Sequence, residues 1–192
     1  MARPENTEFE LQGVNHLALV CKDMARTVAF YRDVLGMALI KTIELPRGTG
    51  QHFFFDLGNG DSLAFFWFLN APEAQPGIAS AKRGPLPGVS AHGSMNHIAI
   101  NVSAEKIDEY HRKLKAKGIE CSRVINHDES PAQASLEQTP STFVRSIYFY
   151  DPDGIALEFA AWTRELPKEG DVAHEPASAF DAARYRELAP AK

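Results

Sequence analysis

The sequence is poor in cysteine, in positive charge and in long apolar runs, and each shortage argues against a class of protein. Its 192 residues include two cysteines and no Cys-x-x-Cys pair, so neither a disulfide framework nor a zinc ribbon is supported, and Cys21 and Cys121 are expected to be small buried side chains. A net charge of −5 offers no basic surface to nucleic acid or to an anionic membrane. No apolar run approaches a membrane span and no apolar leader follows Met1, so a cytoplasmic protein is expected.

What the sequence does contain is an internal repeat. The segment Asn-His-Leu-Ala-Leu at 15–19 returns as Asn-His-Ile-Ala-Ile at 96–100, and the Gly-Asp-Ser-Leu-Ala-Phe segment at 60–65 is matched by 154–159. The two motif histidines are 81 positions apart, whereas the two glycines that begin the later segments are 94 apart. The second copy therefore carries 13 extra residues, which we place in the polar segment 126–141. A repeat of this length indicates two related structural units.

Each copy predicts one βαβββ module. The expected strands are those at 13–21, 37–45, 52–57 and 62–69 in the first copy and at 97–102, 119–125, 143–150 and 155–162 in the second. The expected helices begin after the capping residues Asp23 and Ser103 and end at Leu35 and Lys117. The predicted class is α+β, with an N-terminal extension (1–12), two tandem modules (13–69 and 95–163), a linker or lid (70–94) and a tail (164–192) whose segment 177–188 has a weak helical pattern.

Strand alternation places three polar side chains on faces that lack bulky apolar residues. His16 shares its strand face with Ala18 and Val20, and His97 shares its face with Ala99 and Asn101, whereas the bulkier leucines and isoleucines point the other way. Glu158 lies between two alanines on one face of the last strand, opposite Leu157 and Phe159. We therefore expect helices to cover one face of each sheet and a cavity to lie on the other.

These motifs resemble the vicinal oxygen chelate superfamily, which includes glyoxalase I, fosfomycin and bleomycin resistance proteins, and extradiol dioxygenases. The resemblance covers about residues 13–162 and rests on Asn-His-x-Ala in both copies, Phe-Tyr-Arg-Asp-Val-Leu-Gly-Met in the first helix, and Asp-Pro-Asp-Gly-Ile-Ala-Leu-Glu-Phe in the last strand. It implies paired βαβββ modules that form a half-open barrel around a metal site. It also implies one divalent metal ion per chain, with His16, His97 and Glu158 as the ligands.

The ligand set narrows the expected chemistry. The first-copy position that matches Glu158 is Ala64, where glyoxalase-like members usually carry Glu or Gln, so two histidines and one carboxylate remain. That set is associated with non-haem Fe(II) oxygenases, which makes Fe(II) the expected metal and Mn, Zn, Co or Ni the alternatives. By resemblance to extradiol dioxygenases, Tyr148, ten residues before Glu158, is the candidate catalytic hydrogen-bond donor to a substrate oxygen.

One residue expected from ring-cleaving relatives is missing. Their acid/base histidine lies in the last strand of the first module, where this chain has Ser62, and His52 is the nearby histidine that could take its catalytic place. The remaining histidines are predicted to lie on the surface; they are His92, His111, His127 and His174. The side chains expected to line the substrate pocket are Ser62, Ala64, Phe66, Asn101 and Tyr150, with Phe66 as an apolar wall.

Three functions follow as hypotheses. The first is an Fe(II)-dependent dioxygenase-like enzyme that acts on a small chelating molecule, aromatic or enediol-like. The second is a glyoxalase-like lyase or isomerase that uses Zn, Mn, Co or Ni, with Glu158 as a base. The third is a protein that binds a small molecule without turnover, as bleomycin resistance proteins do. The expected partner is a small-molecule substrate, with neither nucleic acid nor membrane, and a homodimer is allowed by the sequence but not required.

Overall fold

Two four-stranded sheets with the same topology carry the repeated motifs. The computed structural model describes residues 8, 11–84, 86–165 and 174–178. The strands are β1 (His16–Val20), β2 (Leu39–Glu44), β3 (Gly50–Gly58), β4 (Asp61–Phe68), β5 (Ile98–Asn101), β6 (Ile125–His127), β7 (Val144–Tyr150) and β8 (Ala156–Trp162). The sheet orders are β1-β4-β3-β2 and β5-β8-β7-β6. In each sheet the first strand runs parallel to the last and the other pairs are antiparallel, which confirms the prediction of an α+β fold with two tandem βαβββ modules.

The chain divides into two compact units. Residues 11–164 form the unit that contains both sheets. Residues 1–10 and 165–192 form the other unit, of which only residues 8, 165 and 174–178 are described. The helix predicted at 177–188 lies outside the described residues except for its first two positions. In the described segments no helix is long and apolar enough to cross a membrane.

The first helix begins where the sequence predicts but widens part-way along. Helix α1 (Met24–Val28) is capped by Asp23, whose Oδ1 accepts the Arg26 N–H at 3.0 Å. It continues as a π-helix over Ala29–Val34, in which the Leu35 N–H reaches the Phe30 carbonyl at 3.0 Å. Gly36 then ends it with a φ of 80°, a left-handed conformation that suits glycine. The π-turns were not predicted, because apolar spacing does not distinguish them from α-helical turns.

The second module departs from prediction in two places. Its helix starts as a 3₁₀ turn (Ala104–Lys106) before α2 (Ile107–Ala116). Ser103 occupies the predicted N-cap position, but its hydroxyl bonds the Glu105 carboxylate at 2.8 Å and not a backbone N–H of the helix. The strand predicted at 119–125 is reduced to β6, with one isolated bridge from Cys121 to Phe149. The Ser122 hydroxyl accepts the Tyr148 N–H at 2.9 Å and so replaces the carbonyl that a regular ladder would use.

One apolar core joins the two modules. Its largest fully buried side chains come from both halves of the chain and include Tyr31, Phe55, Phe65, Phe149 and Leu157. Cys21 is buried, as predicted, whereas Cys121 is only half-buried.

A buried polar contact also links the modules. The Tyr31 hydroxyl of the first module donates to Asp151 Oδ2 of the second at 3.2 Å, and the Lys22 N–H donates to Asp153 Oδ2 at 2.9 Å. The turn between β7 and β8 is therefore bonded to the first helix and to the residue that precedes its cap. Desolvation raises the pKa of Asp151 to about 6, even though several N–H groups and the Tyr31 hydroxyl stabilise its charged form.

Candidate metal centre

The motif histidines lie on the open faces of their sheets. In β1, Leu17 and Leu19 pack against the core while His16 is exposed. In the second copy, Ile98 and Ile100 are buried while Ala99 and Asn101, which share the face of His97, are exposed. Both faces thus follow the alternation of the sequence.

His97 and Glu158 are in direct contact. His97 Nε2 lies 2.9 Å from Glu158 Oε2, and Glu158 is only 5% exposed. Burial alone would raise the pKa of Glu158, but the contacts from His97 and from the Ser146 side chain outweigh it and hold the pKa below its usual range. This carboxylate therefore stays charged at neutral pH inside a largely desolvated site.

The orientation and the tautomer of the His97 ring are set by the residue before it. The Asn96 amide nitrogen donates to the Gly88 carbonyl at 2.9 Å, which turns the Asn96 oxygen toward His97 Nδ1 at 2.8 Å. Because an amide oxygen only accepts, Nδ1 carries a proton and the lone pair of Nε2 faces the Glu158 carboxylate. A proton or a cation must lie between two such electron-rich atoms. The pair therefore fits two neighbouring ligands of one divalent ion.

His16 has the same local arrangement in the first copy but a different neighbourhood. Asn15 Oδ1 lies 2.7 Å from His16 Nδ1, as in the second copy. The His16 ring packs edge-on against Phe54, with ring centres 5.6 Å apart, and the charge of His16 lowers the pKa of His52. Within the part of the chain that the structure describes, no three His, Cys, Asp or Glu side chains are grouped to hold a metal ion. One chain thus brings His97 and Glu158 together and leaves His16 apart from them.

Tyr148 lies next to the pair and bonds a histidine that was expected on the surface. Tyr148 is directly opposite Glu158 in the β7–β8 ladder, and its hydroxyl lies 3.1 Å from His127 Nε2. Burial and the negative charge of Glu158 raise the pKa of Tyr148 to about 12, so the phenol keeps its proton at neutral pH. The prediction that His127 is a surface residue is wrong, because the side chain is half-buried against Tyr148.

The residues around His127 hold it in this position. Asn126 is 2% exposed, and its amide donates to the carbonyls of Ser135 and Leu136. The Asn126 oxygen accepts Arg145 Nε, and Arg145 forms a bidentate pair with Asp108 of α2 at 3.1 Å. The extra residues of the second copy are therefore folded back and anchored to the helix. No sequence period relates His127 to Tyr148, because this insertion separates them.

The other predicted site residues divide between the sheets. Ser62, Ala64 and Phe66 belong to the first sheet, whereas Asn101 and Tyr150 belong to the second. His52 stacks on Phe66 with ring centres 3.6 Å apart, and its Nε2 is buried without a hydrogen-bond partner among the described residues. Burial, and then the charge of His16, lower the pKa of His52, so the ring is neutral at physiological pH.

Ser146 of the second module also lies in a desolvated position. The Ser146 hydroxyl, on the same strand face as Tyr148, is buried and has no hydrogen-bond partner within the described segments, although it lies close enough to Glu158 to favour the charged form of that carboxylate.

His92 and His174 are exposed, as predicted. The surface prediction for His111 is wrong, because this histidine is half-buried on α2 and burial lowers its pKa.

Comparison with known proteins places this arrangement in a family. Residues 13–159 match the Glyoxalase/Bleomycin resistance protein/Dioxygenase superfamily. The chain is 26% identical over 166 residues to the fosfomycin resistance protein FosX of Listeria monocytogenes, over 81% of this chain and 93% of that protein. It is 28% identical over 153 residues to the metallothiol transferase FosB of Lysinibacillus sphaericus, over 80% of this chain and 84% of that protein.

A solved structure agrees with this assignment. The crystal structure of FosX from Listeria monocytogenes in complex with Mn(II) and a sulfate ion has a TM-score of 0.50 and 25% identity to this chain, and the match covers 80% of this chain and 94% of that one. The family match, the sheet order and the paired Asn-His motifs all support the same family assignment. The chain belongs to the Glyoxalase/Bleomycin resistance protein/Dioxygenase superfamily.

Proposed function

We propose that the protein is a divalent-metal enzyme that acts on a small molecule able to chelate the metal through two oxygen atoms. His97 and Glu158 supply two ligands from one chain. The observation that carries the proposal is the His97–Glu158 contact, because a nitrogen lone pair and a buried carboxylate 2.9 Å apart require a cation or a proton between them. When bound, the metal holds the substrate oxygens and polarises them as a Lewis acid.

The third ligand in this proposal is His16 of the partner subunit in a homodimer. His16 shares its sheet face with Val20 and Phe68, which are 49% and 38% exposed. Trp162 is 52% exposed on the face that carries Glu158. Each chain thus has one face with a lone histidine and exposed apolar residues, and one face with the His97–Glu158 pair. A two-fold dimer that covers one face with the other would bury the apolar residues and make two identical sites.

Tyr148 and His127 are the candidates for proton handling at this site. The Tyr148 phenol is protonated at neutral pH and can donate to a substrate oxygen on which negative charge develops. His127, 3.1 Å from that phenol, can hold its hydroxyl in one orientation and exchange a proton with it. This polar pair beside the ligands favours turnover over the ligand-sequestering hypothesis. His52, which lies beside His16, would reach the same site only through the partner subunit, and its acid/base role stays a prediction.

Two kinds of chemistry are compatible with this site. The set of two histidines and one carboxylate favours an Fe(II) dioxygenase-like reaction on an aromatic or enediol-like substrate. The Mn(II) in the FosX crystal structure favours Mn or a similar ion, which can act as a Lewis acid in a redox-neutral reaction. An oxygen electrode separates them, with Fe(II)-loaded protein screened against catechols, hydroquinones and small 1,2-dioxygenated acids. Oxygen uptake supports the first reaction, and turnover without uptake supports the second.

The shared site is tested by mixing two inactive variants. His16→Ala and His97→Ala should each lose the metal, because each lacks a ligand. After the two variants are unfolded and refolded together, each mixed dimer regains one intact site, so about a quarter of the wild-type metal content should return. Elemental analysis of the purified mixture measures it. If each site lay within one chain, mixing would restore nothing, and the dimer part of the proposal would be wrong.

A further inference from the structure

A cavity of about 360 Å³ lies beside Tyr148 in the second module. Its walls are Arg83 and Gly84 from the linker, Tyr148 and Tyr150 from β7, and the segment 120–122. Tyr148 and Tyr150 point to the same sheet face as Glu158, since Tyr148 is directly opposite Glu158 and Tyr150 is two residues farther along the strand. The cavity therefore lies on the face that carries the candidate metal centre, and Tyr148, which lines the cavity, is directly opposite Glu158.

The linker wall of the cavity is held in place. We call residues 80–84 the strap. The Gly84 N–H donates to the Tyr150 hydroxyl at 3.0 Å, the Ala81 N–H donates to the Asn96 carbonyl at 3.2 Å, and the Ser80 hydroxyl accepts the Ala156 N–H at 3.3 Å. Ala81 is also buried, at 1% exposure. The strap thus has a defined path across the second module, and the base of the Arg83 side chain is fixed with it.

The Arg83 side chain lines this cavity. Its central carbon lies 5.1 Å from the centre of the Tyr150 ring, a cation–π contact that leaves the N–H donors free. No carboxylate in the described segments forms an ion pair with Arg83, although Glu120 lines the same cavity. An anionic ligand group could therefore receive two parallel hydrogen bonds from this guanidinium.

We infer that this cavity is a substrate subsite for a carboxylate, recognised by Arg83, at the end of the substrate remote from its chelating oxygens. The inference rests on the proposed function, because Tyr148 joins the subsite to the candidate metal centre. The volume is within the range of small-ligand pockets and accommodates one ring with a substituent. Glu120 on another wall repels a second negative charge, which favours a singly charged carboxylate over a dianionic phosphonate.

The subsite is tested on metal-free protein by NMR, so that the result does not depend on activity. The ¹⁵N-labelled protein is titrated with benzoate and with benzyl alcohol, its neutral counterpart of similar size. Benzoate should shift the amide signals of Gly84 and Ser122 and bind about tenfold more tightly than benzyl alcohol. Arg83→Gln should abolish that preference. Lys82→Gln, which removes a neighbouring charge of the strap outside the cavity, should retain it.

The outcomes separate this inference from the proposed function. Equal benzoate binding by wild type and Arg83→Gln, or no shift at Gly84 and Ser122, would overturn the subsite, and tighter binding of phenylphosphonate than of benzoate would overturn the choice of a carboxylate. Chelation is measured separately with Zn(II)-loaded protein and 3,4-dihydroxybenzoate. Binding of this probe no tighter than that of benzoate, with the Arg83 dependence intact, would refute the proposed function and leave the subsite standing.

Discussion

The two modules share one sheet order but carry different side chains at matching positions. In the first, Ala64 pairs with Phe54 across the β3–β4 ladder; at the matching positions of the second, Glu158 pairs with Tyr148 across β7–β8. Two pairs further along, and on the same face, His52 and Phe66 of the first module correspond to Ser146 and Ala160 of the second.

The first open face is therefore mostly aromatic and the second mostly polar. His52, Phe66 and Phe68 form a stacked row on the first face, with ring centres 3.6 and 5.1 Å apart. The second face carries Glu158, Tyr148 and His127 with their hydrogen bonds. The duplicated scaffold thus carries an apolar face in one module and a polar face in the other, and the proposed homodimer would bring the two faces together.

The largest expected effect comes from removing a ligand of the polar face. His97→Ala should reduce the metal affinity by at least 100-fold and leave the fold intact, because the proposed site would keep only Glu158 and His16 of the partner subunit as ligands. Elemental analysis after dialysis measures the metal content, and thermal unfolding should lose the stabilisation that added metal gives to wild type. His92→Ala, at an exposed histidine, is the matched control. Equal metal in wild type and His97→Ala would show that the ion binds elsewhere.

The next largest effect is expected at Tyr148, whose counterpart in the first module is Phe54. Tyr148→Phe makes the second module resemble the first, where Phe54 occupies the matching place. Metal content should be unchanged, whereas kcat should fall by about 100-fold, since one hydrogen bond to developing charge is worth roughly 3 kcal/mol. Steady-state kinetics with any substrate found in the screen measures the loss. Unchanged kcat would remove the phenol from the mechanism.

A third prediction concerns Asp151, which accepts the Tyr31 hydroxyl in the buried contact between the modules. The pKa of Asp151 is raised to about 6 in the folded protein, so its stabilising contribution is complete below pH 3.8, the usual aspartate value, and is lost as pH rises through 6. The side chain introduced by Asp151→Asn cannot ionise, so this variant should not lose stability in this way as the pH rises. The unfolding free energy of the variant relative to wild type should therefore increase between pH 5 and pH 7.5 by about 1–1.5 kcal/mol, because part of the loss already occurs below pH 5.

Urea denaturation of both proteins at the two pH values measures this difference. Asp153→Asn, in the same turn but less buried, is the matched control. If the difference between Asp151→Asn and wild type stayed constant across this range, Asp151 would titrate at its ordinary pKa and the burial argument would fail.

The smallest effect is expected on the aromatic face. His52→Phe keeps the stack on Phe66 and removes a buried nitrogen that lacks a partner in the described part of the chain. The unfolding free energy should rise by up to about 1 kcal/mol, because an unsatisfied polar atom is replaced by an apolar one. Chemical denaturation measures it, with Phe66→Leu as a control that removes the stack. A clear loss of stability would mean that His52 has a hydrogen-bond partner, such as a bound water.

Much of the site could be read from local pattern, and the remainder could not. The Asn-His repeat predicted two similar strands, and alternation predicted that His16, His97 and Glu158 would lie opposite the bulkier apolar residues. His16 is exposed in the structure, whereas Glu158 is buried in contact with His97. The position of His127 was not predictable, because an insertion without periodicity leads to it and its contact with Tyr148 depends on the anchoring of Asn126 and Arg145. The strap was predicted only as a linker, since its hydrogen bonds join residues far apart in sequence.

The sequence by itself determined the duplicated βαβββ architecture, the assignment of each residue to one sheet face, and the difference between Ala64 and Glu158. These properties depend on a two-residue period and on motifs a few residues long, which act locally. Only the tertiary structure decided that His97 meets Glu158 while His16 does not join them, that His127 bonds Tyr148, and that Arg83 faces the cavity beside Tyr148. Such contacts depend on how distant segments close on one another, which no local period specifies.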